Sequence, residues 1–75
     1  MNKERRKRLS AVIENINAEL SELEAIRDEE QDAFDNLPEG LQCSMRGEEM
    51  EENVDSLEEA ISQLEEAIET LENIG

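Results

Sequence analysis

Histidine, tryptophan and tyrosine are absent from this sequence, and cysteine, proline and phenylalanine occur once each. Each absence removes a class of protein. Without histidine, neither a His/Cys zinc site nor a carboxylate-histidine di-iron bundle can be assembled, and the single thiol, Cys43, has no imidazole to activate it. One cysteine also excludes an internal disulfide framework, so Cys43 is expected to be a free thiol in a reducing compartment. With Phe34 as the one aromatic residue, the core must be aliphatic, which suits helix seams better than a sheet sandwich. No apolar run approaches the roughly 18 residues of a membrane span. The start, MNKERRKRLSAVIENI, is basic but has no signal-like apolar centre or small-residue cleavage site. The chain is expected to be neither exported nor inserted.

What is abundant is acid. The chain of 75 residues carries a net charge of −15, and that charge is unevenly placed. Residues 1–8, MNKERRKR, hold five cations against Glu4, a local net of +4; the rest sets Arg27 and Arg46 against 21 carboxylates, net −19. Such a polyanionic body repels nucleic acid and anionic lipid, stays soluble, and is drawn to basic surfaces on other proteins.

The apolar residues are spaced as helices. In VDSLEEAISQLEEAIETLENI, residues 54–74, one seven-residue phrase is written nearly three times. Val54, Ile61 and Ile68 take heptad position a, with Leu57, Leu64 and Leu71 at d and Met50 one heptad earlier at d. Position e holds Glu51, Glu58, Glu65 and Glu72, whereas g holds Ala60, Ala67 and Ile74, so the stripe is wider on one side than a two-stranded seam requires. The first half repeats the pattern at Leu9, Ile13, Ile16, Leu20 and Leu23, flanked by Val12 and Ile26. Its continuation meets Arg27 and Glu30 before Phe34 and Leu37, which predicts a shifted or loosened seam around residues 26–30.

Helix breakers collect in DNLPEGLQCSMRGE, residues 35–48. Pro38 biases Leu37 away from helical angles, Gly40 permits a left-handed turn, and Ser44 can cap a helix opening near Met45. The expected organisation is one all-α domain: a basic arm over residues 1–8, a helix over 9–36, a turn over 37–46 and a second helix over 47–75. Two arms of similar length make an antiparallel, coiled-coil-like hairpin. A domain this small buries only about 60% of its unfolded surface, and a lone hairpin leaves the Val12, Ile26, Ala60 and Ala67 edges open. A homodimer forming a four-helix bundle is expected.

The carboxylates admit two readings. Glu58, Glu59, Glu65 and Glu66 belong to pairs repeated at seven-residue spacing on one helix face. They are either a solvated face that keeps the protein soluble, or an array presenting negative charge to a groove built for phosphates. A specific metal site is not expected, because the pattern lacks both histidine and the spacing of a calcium loop. No cofactor is expected, and neither is catalysis: a thin hairpin offers no pocket to shift a carboxylate's titration, and Gly40 and Gly47 are too isolated to cradle a phosphate. The basic arm is awkward for a mimic. Its cations would lie beside Glu65, Glu66, Glu69 and Glu72 in an antiparallel hairpin, so internal neutralisation is the expectation, against contact with a partner's acidic surface or RNA, or a frayed tail. Phe34, Leu37, Leu41 and Met45 gather at the bend and form a second candidate contact surface.

The stretch IRDEEQDAFDNLPEGLQ at 26–42, followed by SLEEAI and QLEEAIETLE, resembles small acidic proteins encoded by phages, prophages and other mobile elements of Gram-positive bacteria. The likeness covers about residues 20–74, and DNLPEGLQ is its distinctive part. It implies a bacterial host cytosol and a non-catalytic protein that binds and inhibits a host protein. A nucleic-acid-binding protein or a defence nuclease such as a CRISPR effector is the candidate target, which would make the chain an anti-CRISPR-like factor acting partly as a nucleic-acid mimic, without binding DNA itself. A structural or regulatory coiled-coil module, acidic only for solubility, is the other reading.

Overall fold

A computed structural model of the chain describes residues 1–74; Gly75, the last residue of the expected second helix, lies outside them. Two long helices, α1 (Lys3–Asp35) and α3 (Met45–Glu72), pack against each other, with a single helical turn, α2 (Glu39–Gln42), between them. No strand occurs among the described residues. The result is an antiparallel hairpin whose Cα atoms span 59 × 15 × 12 Å.

Helix α1 begins at the chain's basic stretch rather than after it. The Asn2 side chain accepts a hydrogen bond from the Arg5 backbone N–H at 2.8 Å, capping the first turn. Lys3 to Arg8 are good helix formers, and once capped they continue the helix; the expected arm is therefore its first one and a half turns. At the far end α1 stops at Asp35, one residue short of the expected boundary, ahead of the Leu37-Pro38 pair.

The seam runs without a shift. Leu9, Ile13, Ile16, Leu20, Leu23, Arg27, Glu30, Phe34 and Leu37 are each at least partly buried, while their neighbour Ile26 is exposed. Of the shift or loosening expected at 26–30, the shift does not occur, because the register survives two polar residues at seam positions; the packing does loosen there, where a groove opens between Ile26, Glu30, Asn53 and Leu57. Arg27 lays its stem along the seam and turns its guanidinium to Asp28, 3.1 Å away. Glu30 accepts a hydrogen bond from the Asn53 side chain across the hairpin at 2.8 Å. On α3, position a is the buried column: Gly47, Val54, Ile61 and Ile68 are buried, whereas Met50, Leu57, Leu64 and Leu71 at d are only half-buried. Leu20 meets this column in the centre, with Ile13, Ile16, Leu23 and Leu64 packed around it.

The tip is held by polar groups rather than by glycine angles. Gln42 donates from its amide to the carbonyls of Phe34 (3.3 Å), which also accepts from the Leu37 N–H, and Leu37 (3.4 Å), tying α2 to the end of α1. Ser44 caps α3, accepting from the Gly47 N–H at 3.4 Å and donating to the Leu41 carbonyl, so the helix starts at Met45, two residues before the expected 47. Gly40 does not adopt a left-handed turn: no residue described has positive φ, and Gly40 sits within α2 with open space around it. Gly47 is the glycine the tip requires. A Cβ there would lie 2.6 Å from the Gln42 carbonyl carbon and 2.8 Å from the Leu41 oxygen, inside the backbone of the turn.

Two substitutions test this packing by thermal unfolding followed by circular dichroism. Ile61→Ala, at a side chain only 4% exposed, should cost about 2–5 kcal/mol. Gly47→Ala sets a helix-propensity gain of about 1 kcal/mol against backbone overlap costing about 1–3 kcal/mol, so a net loss is expected. A raised melting temperature for Gly47→Ala would show that the turn is not closed over this position.

Candidate interaction surfaces

Heptad positions sort the exposed side chains onto two faces. In an antiparallel pair the g edges of both helices lie on one side of the seam and the e edges on the other. On the d/g side, α1 contributes Leu9, Val12, Ile16, Leu23 and Ile26, with Val12 48% and Ile26 43% exposed. Helix α3 contributes an unbroken apolar run to the same side: Leu57, Ala60, Leu64, Ala67, Leu71 and Ile74. Its adjoining c positions, Ser56, Gln63 and Thr70, are uncharged. Both helices visibly share this side in a groove of about 570 Å³ lined by Ile26, Glu29, Glu30, Asn53, Ser56 and Leu57. This groove is where the seam turns polar, and the Asn53 to Glu30 hydrogen bond crosses its floor.

The opposite side is acidic. Glu51, Glu58, Glu65 and Glu72 at e, beside Glu52, Glu59 and Glu66 at f, are all exposed and form two rows along α3. The predicted set Glu58, Glu59, Glu65 and Glu66 is thus one contiguous patch, pointing away from the apolar side. Among the described residues, no group of three or more carboxylates and thiols converges as metal ligands.

The basic stretch does not neutralise that patch. Among the described residues no ion pair links Lys3, Arg5, Lys7 or Arg8 to a carboxylate, and Arg6, which donates from Nε to the Met1 carbonyl at 3.1 Å, lines the groove at the open end with Glu72. For Glu65 and Glu66, of the four glutamates expected beside the basic stretch, the reason is axial distance. Because Asn53 bonds Glu30, residue n of α1 is level with residue 83 − n of α3, which puts Glu65 and Glu66 beside residues 17–18, about 15 Å along the axis from Arg8. The six residues 3–8 also wrap the helix, so only some face α3 at all. Arg5 and Arg8 instead border a cleft of about 350 Å³ with Met1, Leu9 and Val12 on the apolar side.

The bend residues do not act as a set. Phe34 and Leu37 are half-buried and belong to the seam, while Leu41 is exposed and Met45 is 86% exposed. Cys43 is a free, exposed thiol between those two. Sequence reasoning missed Asn2, Gln42 and Gly47. For Asn2 the signal was present, an asparagine directly before a run of helix formers; for the other two the partner is a backbone carbonyl across the turn, which no local pattern encodes.

No protein-family model, curated protein or solved structure matches the chain. The resemblance to phage proteins therefore rests on the turn and the Leu-Glu-Glu-Ala phrases alone.

Removing the cross-hairpin bond by Asn53→Ala should cost about 0.5–1.5 kcal/mol, measured by urea unfolding. The double variant with Glu30→Ala should add little more, since the bond is already lost; full additivity would show that the two residues do not interact.

Proposed function

We propose that this protein is a non-catalytic interaction module. It pairs with a second copy through its apolar side, forming a four-helix bundle, and offers its carboxylate side to a basic protein surface. The observation that carries the reading is the sorting itself: one helix, α3, holds an uncharged apolar run on one side and two continuous rows of exposed glutamates on the other.

The apolar half is supported by area. The hairpin exposes 5784 Å², about 1,000 Å² more than the roughly 4,700 Å² expected for a compact monomer of 8.6 kDa. Stable protein interfaces bury about 1,200–2,000 Å² in total, which two such faces can supply.

The acidic half is supported by charge density. Eleven carboxylates fall between Glu48 and Glu72 of α3, one per roughly 3.3 Å of axis, close to the single charge per about 3.4 Å of one nucleic-acid strand. A groove lined with lysine and arginine, as in a nucleic-acid-handling protein or a defence nuclease, is the chemistry that such a rod complements. The resemblance to mobile-element proteins points to a bacterial host for that partner. The other reading, an oligomerisation module whose acid only solubilises it, is favoured by the even spacing of the glutamates, which a solvated helix face produces with no partner at all.

Light scattering should give a particle of about twice the chain mass; a monodisperse monomer would remove the bundle. For the acidic face, a single exposed ion pair contributes only about 0.2–1 kcal/mol, so the carboxylates must act together. Changing Glu58, Glu59, Glu65 and Glu66 together to Gln keeps helix propensity and removes four charges. Proteins captured from a bacterial lysate by the wild type should be lost with this variant and displaced from the wild type by single-stranded DNA. Capture that survives both treatments would exclude mimicry and move the contact to the exposed Leu41 and Met45 at the tip.

A further inference from the structure

The apolar side can meet its own copy in two ways, with the turns at the same end or at opposite ends. We infer that the two hairpins dock with their turns at opposite ends, so that α1 packs antiparallel on the partner's α1 and α3 on the partner's α3. This rests on the dimer reading above and adds to it the geometry of the partner.

Charge along the rod gives the first reason. The turn-proximal part, residues 27–55, sets eleven carboxylates against Arg27 and Arg46, a net of −9, whereas residues 1–8 carry +4. Docking with the turns together stacks two such anionic ends; docking with the turns opposed lays each beside the partner's cationic end.

The second reason is a register that both helices reach independently. On α1, placing Arg5 opposite the partner's Glu30 sets Leu9 against Ile26 and Val12 against Leu23, so the two-fold axis passes at position 17.5. Arg8 then comes within reach of the partner's Glu29, and both arginines border one apolar cleft while both glutamates border another on the same side. On α3, the unbroken apolar run from Leu57 to Ile74 is complementary to itself when reversed. Ala60 meets Leu71, Leu64 meets Ala67, and the axis passes at position 65.5. Small against large at both pairs lets the helices approach closely. Because the Asn53 to Glu30 bond sets residue n of α1 roughly level with 83 − n of α3, the positions 17.5 and 65.5 lie within about a residue of the same height, so one axis can serve both helices. The same register sets Ile16 against the partner's Glu19, exposed at a g position, so two glutamates flank the axis and are the charge this arrangement has to tolerate at its centre.

Cys43, exposed at the turn, is the natural reporter. With a spin label on Cys43 of the full chain, opposed turns place the two labels roughly 65 Å apart, whereas turns together place them within about 20 Å. Pulsed dipolar spectroscopy should therefore show the long distance. Independently, Arg8→Glu should weaken the dimer roughly tenfold, since it replaces two symmetry-related attractions by repulsions, and adding Glu29→Arg in the same chain should restore it. A short label distance, or no rescue by Glu29→Arg, in a particle of dimer mass would overturn the opposed arrangement and leave the dimer reading intact. A particle of monomer mass would overturn both.

Discussion

The constraint on which the rest depends is that two helices can bury only one column of side chains completely. Val54, Ile61 and Ile68 on α3 and Leu20 of α1 are the buried apolar residues among those described, Leu20 packing with Ile61 and Ile68. The d positions, spaced just as regularly, are left half-exposed on one side, and the g positions beside them more so. Everything that distinguishes the two sides of the hairpin follows from this geometric shortfall. The aliphatic content of the chain exceeds what one hairpin can shelter, and along the two arms the surplus gathers on a single side, with Leu41 and Met45 exposed at the tip.

That confinement also explains how the rod tolerates its charge. Glutamates at e and f positions repel one another along α3, and none of Lys3, Arg5, Lys7 and Arg8 pairs with them. Helix α3 persists because glutamate is itself a good helix former, because Ser44 caps its first turn, and because its a column is packed. The turn contributes rigidity of another kind. Gln42 and Ser44 bond backbone groups at both helix ends, and Gly47 lets α3 lie directly on the turn's backbone, which fixes how the arms enter the seam.

Much of this was legible in the sequence, for identifiable reasons. The a and d positions of both helices follow from apolar spacing alone, since a helix has one period and the apolar residues keep it from Leu9 to Leu71. The acidic patch was equally legible because an exposed row needs no partner to define it. What failed were inferences that needed the third dimension. Arg27 and Glu30 predict a shifted or loosened seam; in the fold a long stem and one cross-hairpin hydrogen bond keep both residues in register, while a groove opens beside them. Gly40 and Gly47 were indistinguishable as letters, and only the proximity of the Gln42 carbonyl makes one of them indispensable. The four bend residues divided between seam and surface because the short helix α2 turns Leu41 outward.

The division of α3 into an apolar and an acidic side also limits how far assembly can go. A face that is complementary to itself closes when two copies meet, since each then covers the other's only apolar run. What remains outside the proposed bundle is glutamate on both α3 helices and mixed polar residues on both α1 helices, with no second apolar stripe to start a chain of contacts. The same carboxylates that would meet a basic partner therefore repel a third copy. In the proposed bundle two jobs would be separate: burial would decide the number of copies, and charge what else approaches. Because the two sit on opposite edges of the same helix, altering one row leaves the other's side chains in place.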